Sequence, residues 1–368
     1  MARPSDLVLI TGATGHVGSC TLLHLLRAGH RVRAAVRSEK KAAAVLARPA
    51  IQALRPGSRL TFVIVPDITA PGAYERAVDG VTHVIHIASP LATGDAVPLD
   101  RHVEHFIRPA VRGTREMLEA AAGSGTVRRV VITSSITAIV PVAQMEGTAP
   151  RLTAVRPTDR VPCIPDPYES EFAAYAASKV AALQEAEAWI ARERPAFDVV
   201  HLHPSFVLGR NDAAASPGEA LRGTNAVLLA MLLGKRFGPF AGATVHVEDV
   251  ARAHVAALDP RVPGDQSYIL SGPARWNDAK EVARRAFPAA METGLLVGRG
   301  NVDSTYLPID SSLTEATFGL GWAGFEEQVV STVGQFLELR MRQRGSSSQG
   351  LPARVKRKEV LSQVSANA

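Results

Sequence analysis

Residues 7–18 read Leu7-Val8-Leu9-Ile10-Thr11-Gly12-Ala13-Thr14-Gly15-His16-Val17-Gly18, with Leu22, Leu23, Leu25 and Leu26 following at helical spacing. A short apolar run, a turn with glycine at every third position and an apolar helical pattern make a strand, a tight turn and a helix, the opening of a βαβ unit. Glycine belongs where backbone must turn sharply and lie close to a second backbone or to a bound anion. The helix then presents its unpaired N–H groups and positive end over the turn, which suits a pyrophosphate.

Outward from that turn, residues 31–36, 60–65, 81–88, 127–134 and 199–203 are apolar, strand-like runs, with helical stretches between most of them. This alternation predicts an α/β fold, a doubly wound parallel sheet of Rossmann type. Residues 175–192 form a long alanine-rich helix before the sixth strand. Beyond Ser205 the alternation loosens, returns at 245–258 and 267–270, and ends in helices near 279–287 and 325–339. We therefore expect 1–204 to be a dinucleotide-binding domain to which 244–272 returns. Residues 205–243 and 273–342 then make a smaller, mostly helical C-terminal substrate lobe, and 343–368 a disordered basic tail.

The cofactor cradle is read as Thr11, Gly12, Gly15, His16, Val17 and Gly18. At the end of the second strand, where an acidic residue binds the ribose of NAD, this chain has Val36 followed by Arg37. An arginine there matches a 2′-phosphate, and Ser38, Lys40 and Lys41 add donors and charge beside it, so NADP(H) is expected. Asp67 and Ile68 follow the third strand and are placed to meet the adenine. Ala88 and Ser89 follow the fourth and are placed to line the cofactor.

Tyr175-Ala-Ala-Ser-Lys179 sets a phenol and an ammonium one helical turn apart on one face. With five tyrosines among 368 residues, chance supplies only about 0.1 such pairs, so the spacing points to chemistry. A phenol that titrates near about pH 10 needs a neighbouring positive charge to exchange protons near neutrality, and Lys179 supplies it. Ser134 and Ser135 end the fifth strand at the carboxyl edge of the sheet, where one hydroxyl can polarise a carbonyl. Tyr168 has no lysine partner and is read as part of a substrate-facing loop.

Hydrophobic residues make up 46% and charged residues 21%, a soluble globular balance that excludes a disordered or fibrous chain. Two cysteines, Cys20 and Cys163, are too few for a disulfide framework or a thiolate metal site, and they fit a reducing compartment. The start of the chain has no basic-then-apolar leader, and no apolar run nears the roughly 20 residues of a membrane span. A cytoplasmic monomer or homodimer without membrane partners is expected. The net charge of +6 owes much to residues 340–358, where no aromatic residue interleaves to stack on bases, so no nucleic-acid partner is expected. His201 with His203, and His246 with Glu248, alternate on strand faces but find no further ligand at metal-binding spacing, so no metal is expected.

Taken in order, the glycine turn, Arg37, Thr133-Ser134-Ser135, Tyr175 with Lys179, the segment from His203 to Gly209 and the segment from Val245 to Ala251 resemble the extended short-chain dehydrogenases/reductases. The likeness covers about residues 6–340, and Arg128-Arg129-Val-Val-Ile-Thr-Ser-Ser135 is similar to the dihydroflavonol 4-reductase branch. The resemblance implies that Ser135, Tyr175 and Lys179 are the catalytic set. It also implies that Lys179 holds the nicotinamide ribose and that Pro204 and Val207 contact the nicotinamide. Val140 stands where the plant dihydroflavonol enzymes carry asparagine, and Phe172-Ala-Ala-Tyr175 replaces the Trp-Tyr-Cys-Tyr of cinnamoyl-CoA reductases. Neither plant substrate is therefore implied. An NADPH-dependent reductase of a small-molecule aldehyde or ketone is. Sugar-nucleotide epimerases or dehydratases and hydroxysteroid dehydrogenases share the fold and the triad. A dinucleotide-sensing regulator without chemistry would usually have lost the Tyr175–Lys179 pair.

Arg37→Ala should raise the KM for NADPH by roughly 10- to 100-fold, the worth of a charge-assisted phosphate contact, and leave the KM for NADH unchanged. Steady-state kinetics with both cofactors on one preparation checks this, and an unchanged KM for NADPH refutes the assignment.

Overall fold

The computed structural model describes residues 6–91, 97–150 and 153–347. The strands that build the site are β1 (Leu7–Thr11), β2 (Arg31–Val36), β3 (Leu60–Ile64), β4 (His83–His86), β5 (Arg129–Thr133), β6 (Asp198–Pro204), β7 (Phe206–Leu208), β8 (Ala243–His246), β9 (Gln266–Leu270) and β10 (Gly272–Pro273). Seven form one sheet in the order β9-β6-β5-β4-β1-β2-β3, and every neighbouring pair is parallel. The chain winds outward from β1 to β3, crosses back to β4 beside β1, and winds the other way to β9. The loops leaving β1 and β4 therefore diverge, and in open α/β sheets that crevice receives the ligand.

The principal helices are α1 (His16–Arg27), α2 (Glu39–Leu46), α3 (Pro49–Leu54), α4 (Arg108–Ser124), α5 (Glu171–Glu193), α6 (Asn225–Leu232), α7 (Val247–Ala256), α8 (Ala279–Ala286) and α9 (Phe325–Ser347). One face of the sheet is closed by α1 and α7, whose Leu22, Leu25, Val250 and Ala253 pack on Val8, Ile10, Val131 and Val200. The other face is closed by α4 and α5, whose Met117, Leu118 and Trp189 pack on Leu9, Val84 and Val130. Strands buried on both faces read as continuous apolar runs, and these do. A separate apolar core gathers Leu228 and Leu232 of α6, Val282 of α8, Val329, Val333 and Phe336 of α9, and Trp276.

Three expectations change in detail. The helix bearing Tyr175 and Lys179 starts at Glu171 rather than Tyr175, because Ser170 is its N-cap and its Oγ accepts from Ala173 N at 3.1 Å. Within 244–272, α7 and β9 join the main sheet, but β8 pairs with β7 and β10 in a three-stranded sheet of its own. Residues 343–347 continue α9 instead of beginning a tail. The remainder of the expected tail, 348–368, lies outside the described residues.

Far from the crevice, Arg129 ties the sheet to the segment after α7. It is 5% exposed. Its guanidinium grips Asp198 of the next strand through Nε at 2.6 Å and Nη2 at 2.8 Å, and donates to the carbonyls of Ala257, Asp259 and Val262. Removing one partner of such a buried pair strands the other. Arg129→Ala should lower stability by about 3–5 kcal/mol. Arg128→Ala, at a side chain 66% exposed, should change it by no more than about 0.5 kcal/mol. Thermal melts of the two variants side by side make the comparison.

Candidate active site

The glycine turn is held by contacts that admit no side chain at two of its three glycines. Gly12 has φ +74°, and a Cβ there would lie 3.0 Å from Ala88 N. At Gly18 a Cβ would lie 2.1 Å from Gly12 O, so α1 can seat against the turn only without one. Gly15 differs, because a Cβ would meet only Gly12 O, at an ordinary 3.5 Å. The chain itself leaves room there, and α1 has no side-chain cap at this end. The free N–H groups of α1 thus face an open cradle that fits an anion such as a pyrophosphate. Arg48 of the short connection before α3 donates to Ala13 O at 2.9 Å and Thr14 O at 3.2 Å. In planar trans peptides this fixes the N–H on the opposite side of each unit. His16 Nε2 donates to Arg210 O at 3.2 Å, and Val17 packs against the core beneath.

Thr11 joins the two diverging strand ends. Its hydroxyl accepts from Ile87 N at 3.0 Å and Ala88 N at 2.9 Å, and so donates its own proton to Nδ1 of His86 at 3.1 Å. Ala88 and Ser89 follow directly and are half-buried beside the crevice. Arg37 and Lys40 are exposed beyond the end of β2, where Ser38 caps α2 by accepting from Lys41 N. Asp67 is exposed too. One of its oxygens already accepts from the N–H and hydroxyl of Thr69, which holds its carboxyl below the usual range. Ile68 is turned inward onto α4.

Across the crevice, Ser135 leaves β5 in an extended conformation, and its Oγ accepts from Thr137 N at 3.2 Å and from the Thr137 hydroxyl at 3.0 Å. Tyr175 reaches it from α5, close enough for the Ser135 hydroxyl to act on its phenol. Lys179, one turn on, lies with Nζ 5.6 Å from the Tyr175 ring centroid. The three residues named from sequence are thus together. Their electrostatics differ from expectation in one respect. Burial pushes the Tyr175 phenol up, against the opposing influence of the Ser135 hydroxyl, and burial lowers Lys179 to about 8. In the protein alone the tyrosine therefore stays protonated, and the lysine is charged at neutral pH and largely neutral two units higher.

Pro204 ends β6, and Val207 in β7 follows across Ser205, whose N–H donates to Leu270 O at 2.9 Å. Both are buried at the carboxyl edge. His203 donates from Nδ1 to Ser135 O at 3.2 Å, and so fixes the backbone that carries the serine. A cavity of about 20 Å³, room for one water, lies beside Lys179 and is lined by His86 and His201. Desolvation holds His86 and His203 at about 3 and His201 and His254 at about 4, so all four are neutral here. Tyr168 lies in the loop before α5, buried in a small cluster with Phe106 and Ala177, its hydroxyl aimed at Ile164 O.

Arg48, His203 as the support of Ser135, and Asn225 escaped the sequence reading. Asn225 pairs through its amide with both Gly209 N and Gly209 O, and Gly209, at φ +132°, leaves no room for a Cβ against Val247 and His246. Only the glycine gave a local signal. Among the described residues neither histidine pair weighed as metal ligands belongs to a group of three. Glu248 instead lies with Cys20 and His24.

The geometry can be set against known proteins. Over 353 residues, 92% of this chain and 97% of the relative, it is 38% identical to a ketoreductase, CTB6, of Cercospora nicotianae. It is 34% identical, over 92% of this chain and 97% of the other, to an NAD-dependent epimerase/dehydratase, FUM13, of Gibberella moniliformis. The yeast methylglyoxal/isovaleraldehyde reductase Gre2, solved with NADPH, superposes with a TM-score of 0.77 over 91% of this chain and 99% of Gre2, at 21% identity, which is a likeness of fold. No helix among the described residues is long and apolar enough to cross a membrane. A family model spans residues 8–270, from the first residues of β1 to the last of β9, so that its limits are those of the seven-stranded sheet itself. By that match and by the identity to its relatives, this chain belongs to the NAD dependent epimerase/dehydratase family.

Proposed function

We propose that the protein is an NADPH-dependent reductase that converts an aldehyde or ketone, an intermediate of secondary metabolism, to the alcohol. The observation that carries this reading is Tyr175 brought within reach of the Ser135 hydroxyl, with Lys179 beside it, facing the cradle across the crevice. A reduced nicotinamide, when bound, supplies the hydride. The remaining work falls to the chain. Tyr175, held protonated by burial, gives its proton to the oxygen as charge develops there. Ser135 donates a hydrogen bond to that oxygen. Lys179 holds the ribose hydroxyls and favours the phenolate left behind. Pro204 and Val207 wall the nicotinamide end, and Ala88 and Ser89 the opposite side. Arg37, with Lys40 behind it, takes the 2′-phosphate. The backbone near Asp67 and Ile68 borders the adenine.

The ketoreductase name of the 38% identical relative supports carbonyl reduction, and the epimerase/dehydratase name of another keeps sugar-nucleotide chemistry as the second reading. A screen of aldehydes, ketones and nucleotide sugars with NADPH and NADH separates them. We read the region around α6, α8 and α9 as the substrate lobe, and the protein as a cytoplasmic monomer or homodimer.

Gly15→Ala should fold normally, with an unchanged melting temperature, yet lose NADPH affinity by tenfold or more, because the methyl group enters the cradle. Gly18→Ala should fail to fold well, since its methyl group would overlap Gly12 O. Fluorescence titration and thermal melts read both, and unchanged affinity in Gly15→Ala sinks the cradle assignment.

Tyr175→Phe should keep NADPH affinity and lose on the order of 10²–10⁴ in turnover, while Tyr168→Phe should keep turnover within a few-fold. Lys179→Met should lose turnover comparably and yet raise the melting temperature of the cofactor-free protein at pH 7. The sign follows from the shift. Lysine's folded pKa of about 8 lies below its unfolded value of 10.5, so below pH 8 the folded state carries the full cost of a desolvated charge, roughly 2–4 kcal/mol. For the same reason reductase kcat/KM should fall as pH rises past about 8. A flat profile, or a Lys179→Met protein melting below wild type, contradicts this account.

A further inference from the structure

Away from the crevice, on the seam between α1 and α7, three side chains of different chemistry meet. Cys20 and His24 lie four residues apart, hence one turn apart on one face of α1, and Glu248 reaches them from the first turn of α7. His24 Nε2 is 2.5 Å from Glu248 Oε2, Cys20 lies beside the same carboxylate, whose charge acts on its thiol, and one donor atom from each residue lies within 4.8 Å of the others. The helices that bring them together are fixed by the apolar core beneath. The first turn of α7 is pinned as well, because His246 Nδ1 accepts from Glu248 N at 3.2 Å.

From this arrangement we propose that Cys20, His24 and Glu248 form a zinc site that staples α1 to α7, with water as the fourth ligand. A thiolate, an imidazole nitrogen and a carboxylate oxygen are the donors zinc takes, and tetrahedral bonds of about 2.0–2.3 Å require neighbouring donors roughly 3.2–3.8 Å apart. The present separations need adjustments on the order of 1 Å. The main one is that the Glu248 carboxylate moves off His24, and a side chain 44% exposed has room to do so. Cys20 is buried and His24 only partly exposed, so the ion would sit at the mouth of a shallow recess with its free position toward solvent. Without a metal the thiol is held in its protonated form by burial and by the charge of Glu248, and a dication reverses that sign. On binding, the Cys20 S–H bond breaks, an S–Zn bond forms and the thiol proton leaves to solvent; the Nε2–H bond of His24 breaks, its proton is replaced by one on Nδ1 taken up from solvent, and Nε2 and the Glu248 carboxylate, released from their hydrogen bond, each bind the metal. No electron moves. Arg27 and Asp212 bear on the thiol in opposite senses and offset one another.

The alternative is a purely hydrogen-bonded triad, with Cys20 and His24 donating to one carboxylate and no affinity for metal. Full-length protein freed of metal with EDTA, then titrated with zinc or cobalt(II), distinguishes the two. We expect one zinc per chain, a melting temperature that rises with zinc concentration, and a thiolate-to-cobalt charge-transfer band in the near ultraviolet. The band should persist in Cys163→Ser and vanish in Cys20→Ser, and Glu248→Gln should weaken zinc at least tenfold. Because Glu248 is half-exposed, Glu248→Gln keeps the test open should Cys20→Ser fold poorly. Absence of stoichiometric zinc, a cobalt band surviving in Cys20→Ser, or undiminished zinc affinity in Glu248→Gln overturns the proposal.

Discussion

The structure turns on the parting of two parallel strands. Between β1 and β4 the winding of the sheet reverses, so the backbone leaving each strand travels away from the other. Left alone, the N–H groups at that opening would lack strand partners and would have to be satisfied by water or a ligand. Thr11 closes the lower part of the gap, with one hydroxyl taking two N–H groups from the β4 side and giving its proton to His86. Everything that follows uses this opening. The glycine turn forms its floor, the ends of β5 and β6 bring Ser135 and Pro204 to one wall, and α5 lays Tyr175 and Lys179 along it.

Two kinds of cost are accepted there. Lys179 is 6% exposed, and its shift arises from desolvation alone, with no carboxylate contributing. A fold selected only for stability would place an apolar residue in its position. The glycine turn carries the second cost, an entropic one, since Gly12 and Gly18 are enforced by neighbouring backbone whereas Gly15 is not. Arg129 shows the opposite arrangement. A second buried cation, remote from the crevice, is supplied with a carboxylate and three carbonyls and so serves only to hold the sheet.

How far the site could be read from sequence follows from the range of the interactions. The first six strands, the turn and the Tyr175–Lys179 pair declare themselves within a window of a dozen residues, through period, glycine spacing and a one-turn separation. Their boundaries were less legible. The start of α5 depends on Ser170 as a cap, and β8 reads as part of the main sheet until its pairing with β7 is known. The polar supports could not be read at all. His203 holds a carbonyl 68 positions earlier, Arg48 holds the turn from 34 and 35 positions away, and Glu248 meets His24 across 224. In each case one residue type is ordinary by itself, and meaning comes only from a partner that the topology delivers. The direction of the Tyr175 shift was hidden for the same reason, because desolvation is a property of the assembled interior.

The buried imidazoles carry a consequence of their own. His86, His201, His203 and His254 serve as uncharged spacers, and each has a folded pKa of about 3 or 4 against 6.5 when free. The unfolded chain binds the extra protons first, so folding free energy is drawn down as pH falls below 6.5, and the drain is complete only near 3 to 4. At pH 5 each group contributes up to about 2 kcal/mol to that loss, which for four together is comparable to the whole margin of an ordinary domain. The interior thus works as an acid fuse: the same histidines that keep the back of the crevice electrically quiet at neutrality draw stability out of the fold as the medium turns acidic.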